Sequence, residues 1–183
     1  MLSARDDFAE KDRLSAGRLI ESKLLTLDEF RSATVLSTYV SKASEVDTHD
    51  IIREALRLGK KVLVPVTDRD NRRPVFSELV DPDGELALGT FGILEPKPEF
   101  RRTVPLKQAE LVLVPGIAWD LGDYGPGYGL DYHDNALREL EPETCTLGLS
   151  YESQLLPRLP SEGHDVRVKM IATERRVINC FEE

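Results

Sequence analysis

Cysteine is scarce in this chain of 183 residues, with only Cys145 and Cys180 present. The two do not form a CxxC motif, and no histidine lies at metal-ligand spacing from either, which excludes the usual sequence signatures of a zinc site. Both lie in apolar, strand-like runs. We therefore interpret them as small buried apolar residues rather than as a disulfide or a nucleophile.

Basic residues are in the minority, since 24 Lys and Arg stand against 33 Asp and Glu, a formal net charge of −9 at pH 7. This balance argues against general nucleic-acid binding but does not exclude an anionic ligand in a local site. No apolar run approaches the ~20 residues that cross a bilayer, and residues 1–14 lack the apolar region of a signal peptide. We expect a cytoplasmic protein that binds neither nucleic acid nor membrane.

Apolar runs without polar alternation are present, and they predict buried strands at 34–40, 61–66, 109–116 and 145–150. Helical patterns separate them. A chain of this length forms one ordinary domain, so we predict a single α/β domain over residues 1–183. It would have three layers, with a largely parallel central sheet and helices on both faces. The oligomeric state is left open.

Helix signals accompany these strands. In the first helix, apolar residues near helical spacing include Leu14, Leu19, Ile20 and Leu24. A short second helix is predicted at 27–33. In a third, Thr48 resembles an N-cap and Gly59 a C-terminal stop.

The remaining segments are shorter. The composition of residues 67–79 indicates a hairpin, that of 80–100 a loop, and that of 151–160 a short helix stopped by prolines. Two terminal strands with a turn near 173–175 are predicted within 166–180.

A glycine-rich stretch, PGIAWDLGDYGPGYGLDYHDNAL (115–137), follows the third strand and precedes a predicted helix. Strand, glycines and helix start form the general layout of a phosphate cradle, although many such loops are tight turns. The stretch is neither a Walker A motif nor GxGxxG. In parallel sheets ligands bind at the carboxyl ends of strands, and this loop leaves that edge together with SKASEVDT and the turn after CTLGLS.

Two motifs of this stretch are LVPGIAWD and GPGYGLDYHD, and elsewhere in the chain occur SEVDT, GILEP and GHD. In this combination and order, over roughly residues 30–175, the sequence resembles the 5-formyltetrahydrofolate cyclo-ligase family. The resemblance implies the α/β architecture and an ATP- and Mg²⁺-dependent cyclisation of 5-formyltetrahydrofolate to 5,10-methenyltetrahydrofolate. Small-molecule folate and ATP would be the ligands. No catalytic residue is assigned.

The resemblance also implies ligand contacts, position by position. Asp134 and Asp165 would be the Mg²⁺ carboxylates, and Gly127, Tyr128 and Gly129 would join Asp134 at ATP. The alternatives are a helix N-cap for Asp134 and a turn residue for Asp165. The implied folate contacts are Glu45, at the pterin end, with Val40, Phe91 and Tyr132. The alternative for Glu45 is a solvated loop acid, and that for the other three a core side chain.

Several positions depart from the family pattern. Gly125 stands where the family has a loop Arg, Asp131 replaces a glycine, and the Lys-x-x-x-Arg motif near the N-terminus is absent. Two lost charge-assisted contacts, at roughly 1.5–3 kcal/mol each, would weaken ATP binding by about 10²–10⁴-fold unless other cations replace them. The alternative hypothesis is therefore a divergent member that binds folate or nucleotide without cyclo-ligase activity.

Overall fold

The computed structural model describes residues 10–68, 74–89, 92–121, 136–157 and 167–180. Its helices are α1 (Glu10–Thr26), α2 (Asp28–Ser32), α3 (His49–Arg57) and α4 (Pro82–Glu85), with 3₁₀ turns at Pro98–Phe100, Leu106–Gln108 and Glu152–Gln154. Its strands are β1 (Val35–Ser37), β2 (Lys61–Thr67), β3 (Pro74–Leu79), β4 (Leu86–Leu88), β5 (Leu94–Pro96), β6 (Leu111–Pro115), β7 (Trp119–Asp120), β8 (Cys145–Leu149), β9 (Leu155–Leu156), β10 (Met170–Ala172) and β11 (Val177–Asn179). No helix within the described ranges is long and apolar enough to cross a bilayer.

Seven strands form the main sheet, in the order β11-β10-β8-β6-β1-β2-β3. The five inner strands, β10 to β2, are parallel, and the outer strands β3 and β11 are antiparallel to their neighbours. This confirms the predicted α/β class with a largely parallel sheet. The hairpin of β2 with β3 and the terminal pair of β10 with β11 are also as predicted. A single domain spanning residues 1–183 stays a prediction.

Both faces of the sheet are covered by apolar side chains. Along β6, Leu111 and Leu113 pack into the cluster that contains the buried residues of α1, α2 and α3. Val112 and Val114, in alternation, pack into a second cluster on the opposite face. In the described part of the chain, that second face is covered by the 3₁₀ turn at Leu106–Gln108, by the helical residues 136–137 and by irregular segments. The unbroken apolar runs of the sequence reflect this two-sided burial.

Helix α1 buries a narrower stripe than its sequence predicts. Ala16, Ile20 and Leu24, four residues apart, are 5% exposed or less. Leu14 and Leu19, which the helical spacing groups with Ile20 and Leu24, are instead 55% and 50% exposed and do not belong to the buried stripe.

The ends of α3 show two different outcomes. Gly59 has φ +78°, and Lys60 N–H donates to the Ala55 carbonyl at 3.0 Å, a Schellman stop at the predicted glycine. Thr48 precedes the helix as predicted, but its side chain makes no capping bond to it. The carboxylate of Asp47 instead accepts from His49 N–H at 2.9 Å, and the Thr48 hydroxyl is used in the preceding loop.

Two short segments were mispredicted because their elements are only two to four residues long. Residues 80–100 contain α4 and the antiparallel pair of β4 with β5 rather than a loop throughout. Residues 151–156 form a 3₁₀ turn followed by β9, which pairs with β7, rather than one short helix. Pattern analysis needs longer windows than these elements provide.

The two cysteines are free and half-buried rather than fully buried. Burial raises the pKa of the Cys145 thiol to about 11 and that of Cys180 to about 12. Both thiols are therefore protonated at neutral pH, which agrees with an inert, apolar role.

Glu85 and Arg102 form a two-pronged ion pair beside α4. The guanidinium donates to Glu85 at 2.8 and 3.0 Å, and the Glu85 side chain is 6% exposed. These bonds hold the pKa of Glu85 below its ordinary value of 4.5. We expect Glu85→Gln to lower the free energy of unfolding by about 1–2 kcal/mol at neutral pH.

The pH dependence follows from the direction of that shift. Because the folded-state pKa is lowered, the carboxylate stabilises the protein above 4.5 and loses this contribution as the pH falls through the folded value. Urea titrations at about pH 7 and about pH 3 should therefore show a smaller gap between wild type and Glu85→Gln at the lower pH. The exposed Glu143→Gln is the control. A gap that does not change with pH would contradict this role for Glu85.

Candidate active site at the carboxyl edge of the sheet

The chain changes direction across the sheet at β1. From β1 it continues to β2 on one side, and it later returns to β6 on the other. Connections diverge at such a point, which leaves a crevice beyond the carboxyl ends of the strands. Three described segments leave this edge: 38–48 after β1, 116–121 after β6 and 150–154 after β8. The three segments leave this edge as predicted, and the position of a ligand site there stays a prediction.

Segment 38–48 is closed by its own side chains. The hydroxyl of Thr48, fully buried, donates to the Tyr39 carbonyl at 2.8 Å and accepts from Ser41 N–H at 3.1 Å. Thr48 N–H donates back to the Ser41 hydroxyl at 3.0 Å, and the Tyr39 hydroxyl donates to the Val46 carbonyl at 2.8 Å. The loop therefore has a fixed shape, set by short polar side chains that bond to nearby backbone.

Glu45 lies at the tip of this loop. One carboxylate oxygen, Oε2, accepts from Lys42 N–H at 2.9 Å, and Glu45 N–H donates to the Lys42 carbonyl at 3.1 Å. Ala43, between them, has φ +51°. The other oxygen, Oε1, has no hydrogen-bond partner among the described residues. The turn thus positions a half-buried carboxylate with one oxygen available to a ligand.

Gln154 joins the other two segments. Its Nε2 donates to the carbonyls of Gly116 and Ile117 at 2.9 and 2.8 Å, and its Oε1 accepts from Tyr151 N–H at 2.8 Å. The Tyr151 hydroxyl lies 3.4 Å from the Glu45 carbonyl, to which it donates. Gln154 and Tyr151 are 6% and 2% exposed. One buried network therefore connects all three segments at the edge.

Trp119 packs against backbone at this edge. Its side chain is fully buried, and a Cβ placed on Gly116 or Gly148 would lie 2.5–2.6 Å from its ring atoms. The indole Nε1 has no hydrogen-bond partner among the residues that the structure describes. Both glycines are thus needed for space, and Trp119 is held by packing alone.

A cleft of about 340 Å³ lies between α1 and segment 41–50. On α1 it is lined by Arg13, Leu14, Gly17, Arg18 and Glu21, and on the other wall by residues that include Lys42, Glu45 and Tyr151. Burial, with repulsion from Asp50 and Asp47, raises the pKa of Glu21, while Arg18 lowers it. The cleft brings Glu45 together with the arginines of α1.

Most predicted site residues lie outside the described ranges. These are Phe91, Gly127, Tyr128, Gly129, Tyr132, Asp134 and Asp165, along with the departures Gly125 and Asp131. Of the helix predicted after the glycine loop, only residues from 136 are described. Ala136 and Leu137 are helical, a turn follows at 138–140, and Leu137 is buried. Val40 is 3% exposed and packs in the core, the alternative that its sequence left open. No group of three potential metal ligands occurs in the described part.

Sequence comparison gives a family match over residues 1–174, to the 5-formyltetrahydrofolate cyclo-ligase family. The chain belongs to this family. Among curated relatives, the 5-formyltetrahydrofolate cyclo-ligase of Escherichia coli K12 is 26% identical, covering 88% of this chain and 89% of its own. A probable 5-formyltetrahydrofolate cyclo-ligase of Caenorhabditis elegans is 28% identical, over 88% of this chain and 80% of its own.

Solved structures agree with this membership. The 5,10-methenyltetrahydrofolate synthetase of Aquifex aeolicus superposes with a TM-score of 0.86 at 27% identity, covering all of this chain and 90% of its own. A synthetase from Mycoplasma pneumoniae gives a TM-score of 0.74 at 18% identity, over 94% and 93% of the two chains, and supports the fold.

Sequence analysis missed two parts of this cyclo-ligase-family site. No sequence pattern around Gln154 indicates that its side chain joins two segments, because the two carbonyls that it bonds are 37 and 38 residues away. The α1 wall was also missed. Arg13 and Gly17, which line it, are four residues apart, and that spacing was a usable signal because residues i and i+4 share one face of a helix.

Proposed function

We propose that this chain catalyses the ATP- and Mg²⁺-dependent cyclisation of 5-formyltetrahydrofolate to 5,10-methenyltetrahydrofolate, as a cytoplasmic enzyme of folate one-carbon metabolism. Family membership over residues 1–174 and the named activities of its relatives support the proposal. The observation that carries it in this chain is the carboxylate of Glu45, held by its own loop with Oε1 free beside a cleft.

In the proposed reaction the formyl oxygen attacks the γ-phosphorus of ATP, and ADP leaves. N10 of the folate then attacks the activated formyl carbon and loses its proton to water, the C–O bond to phosphate breaks, and inorganic phosphate leaves. The chain has to hold two substrates in line and exclude water. Its contribution to catalysis is therefore the positioning of substrates and not the formation of a covalent intermediate with the protein. A closed, internally bonded loop such as 38–48 suits that task.

The residues proposed for each ligand are those that the family pattern implies. Glu45 would accept hydrogen bonds from the donor edge of the pterin, with Val40, Phe91 and Tyr132 nearby. Backbone N–H groups of Gly127, Tyr128 and Gly129 would face the phosphates. Asp134 and Asp165 would hold Mg²⁺, and their carboxylate oxygens fit its ligand preference. Bound Mg²⁺ would neutralise charge on the phosphoryl oxygens.

The test is turnover by the purified full chain. We expect absorbance from methenyltetrahydrofolate to rise with 5-formyltetrahydrofolate, ATP and Mg²⁺, and not when ADP replaces ATP. An active cyclo-ligase run in parallel controls for reagents. Failure at high enzyme concentration, with that control active, would show that the chain is not a cyclo-ligase.

Replacement of Glu45 by glutamine tests whether its carboxylate binds the substrate. The amide oxygen still accepts from Lys42 N–H, so the loop should keep its shape while the pocket-facing atom becomes a donor. We expect kcat/KM for 5-formyltetrahydrofolate to fall about 10–100-fold, mainly through KM, with an unchanged Tm. Glu141→Gln, the same change at an exposed position outside the cleft, should be neutral. Equal kcat/KM in both variants would remove Glu45 from the site.

A second candidate is a protein that binds folate or nucleotide without turnover. The substitutions at Gly125 and Asp131 favour it, because they remove a cation and add an anion where phosphates are expected. Titration calorimetry separates the candidates. ATP–Mg²⁺ binding that disappears in Asp134→Ala would favour the enzyme, whereas folate binding without ATP binding would favour the second candidate.

A further inference from the structure

The turn between β10 and β11, residues 173–176, lies at the carboxyl edge of the sheet and is closed by Thr173. This threonine is fully buried, and its N–H donates to the Arg176 carbonyl at 2.8 Å. Its hydroxyl accepts from the N–H groups of Arg175 and Arg176 at 3.2 and 3.1 Å. The turn therefore has a fixed shape, set by one short polar side chain.

The same hydroxyl binds the segment that follows β8. It donates to Oε2 of Glu152 at 2.7 Å, and Oε1 of Glu152 pairs with Arg176 Nη2 at 2.8 Å. The Arg176 carbonyl lies 3.2 Å from the hydroxyl, but a hydroxyl has one proton, and the carboxylate is the closer and charged acceptor. In return, Glu152 N–H donates to Oε2 of Glu174 at 2.9 Å. Bonds in both directions thus hold the turn and segment 150–154 together.

Helix α1 is attached to this turn as well. Lys23, in the last turn of α1, donates from Nζ to the Glu174 carbonyl at 2.7 Å. Earlier residues of α1 form one wall of the cleft, and Tyr151, next to Glu152, also lines it. The Tyr151 hydroxyl donates to the Glu45 carbonyl at 3.4 Å. The turn therefore bonds both α1 and the segment that contacts the Glu45 loop.

We propose that the turn at 173–176 is a positioning element for the reaction, because it fixes α1 and segment 150–154 relative to each other and thereby sets the width of the cleft beside Glu45. Thr173 and Glu152 are positioning residues, which act through Tyr151 and touch no reacting atom. The inference rests on the proposed function for its effect on turnover.

The experiment compares two replacements of Thr173. Thr173→Val removes the hydroxyl at nearly constant volume, and Thr173→Ser keeps it. We expect kcat/KM for 5-formyltetrahydrofolate, per folded molecule, to fall about 10–30-fold with valine and to stay within about 2-fold of wild type with serine. Thr144→Val is the matched control, since its hydroxyl is also buried and donates to the Ala109 carbonyl at 3.3 Å, at the amino edge of the sheet. It should lose stability without losing kcat/KM.

Amide hydrogen exchange measures the same effect without turnover. The N–H groups of Ser41 and Glu45 are bonded within their own loop, and neither contacts Thr173. We expect both to exchange about 5–10-fold faster in Thr173→Val than in Thr144→Val, with urea used to bring the two variants to equal global stability. If Thr173→Val does not fold, Lys23→Met at a half-buried position removes only the bond to α1 and should show smaller changes of the same kind.

The outcomes separate this inference from the proposed function. Equal losses of kcat/KM in Thr173→Val and Thr144→Val, or no rescue by serine, would overturn the inference, because the turn would then contribute stability alone. If the wild type shows no turnover, the proposed function fails, and the exchange rates decide. Faster exchange of the Glu45 loop in Thr173→Val than in the control supports the inference, and equal rates overturn it.

Discussion

Gln154→Leu is expected to lower the free energy of unfolding by about 2–4 kcal/mol, because it leaves two carbonyl oxygens and one buried N–H without their partners. The side chain of Gln154 bonds Gly116, Ile117 and Tyr151, and leucine has a similar volume but no polar atom. For a chain of this size that loss corresponds to a Tm decrease of about 5–15 °C. Urea unfolding should show a lower midpoint with an unchanged slope.

In Gln154→Leu, the catalytic activity should fall by more than the loss of folded protein accounts for. Gln154 bonds the segment after β6 and also Tyr151, whose hydroxyl contacts the Glu45 loop. Without the Gln154 side chain, the three segments are no longer held in fixed positions relative to one another. We expect kcat/KM to drop about 100-fold at a temperature where the variant is folded, since small misplacements reduce in-line reactivity strongly. The exposed Gln108→Leu is the matched control and should change the free energy of unfolding by no more than about 0.5 kcal/mol.

Gln154→Glu distinguishes hydrogen bonding from packing at this position. The new carboxylate has nearly the shape of glutamine, but when ionised it cannot donate to the two carbonyls that it faces. Burial and these carbonyls should raise its folded-state pKa above the unfolded value of about 4.3. The variant should therefore be closest to wild type below that value and lose stability as the pH rises through the folded pKa. A pH-independent effect would show that shape alone matters.

Gly148→Ala is expected to destabilise the protein by about 2–3 kcal/mol, through overpacking rather than backbone strain. Its Cβ would lie 2.6 Å from Cη2 and Cζ2 of Trp119, and the ring is fully buried. Gly148 lies in β8, between β6 and β10, so the strand has no free side toward which to shift. Gly17→Ala provides the control, because the same methyl group meets nothing there.

Trp119→Phe should rescue this variant. Phenylalanine lacks the far ring atoms that a Cβ on Gly148 would meet. Made alone, Trp119→Phe loses packing contacts but also removes a buried N–H that has no partner in the described part of the chain. We therefore expect a net effect on the free energy of unfolding within about 1 kcal/mol. The double variant should then be about 1–2 kcal/mol more stable than the sum of the single effects. Strict additivity in denaturant titrations would mean that the two residues do not compete for space.

The sequence alone identified the family and the strand runs because both depend on local patterns. Apolar runs of five to seven residues marked β2, β6 and β8, and Gly59 marked the end of α3 through its own backbone freedom. The carboxyl edge was predictable as well, since parallel strands place their ends together whatever their order. The ordered motifs around Glu45 and the glycine loop carried the family resemblance.

Tertiary structure decided the contacts between distant residues. Leu14 has the pattern of a core residue but faces the cleft, and the Thr48 hydroxyl serves the Glu45 loop rather than the helix that it precedes. Gln154 and Trp119 acquired their roles from segments about 30 or more residues away. A sequence pattern fixes which face of an element is apolar, but only the packed register of strands and helices determines what that face meets.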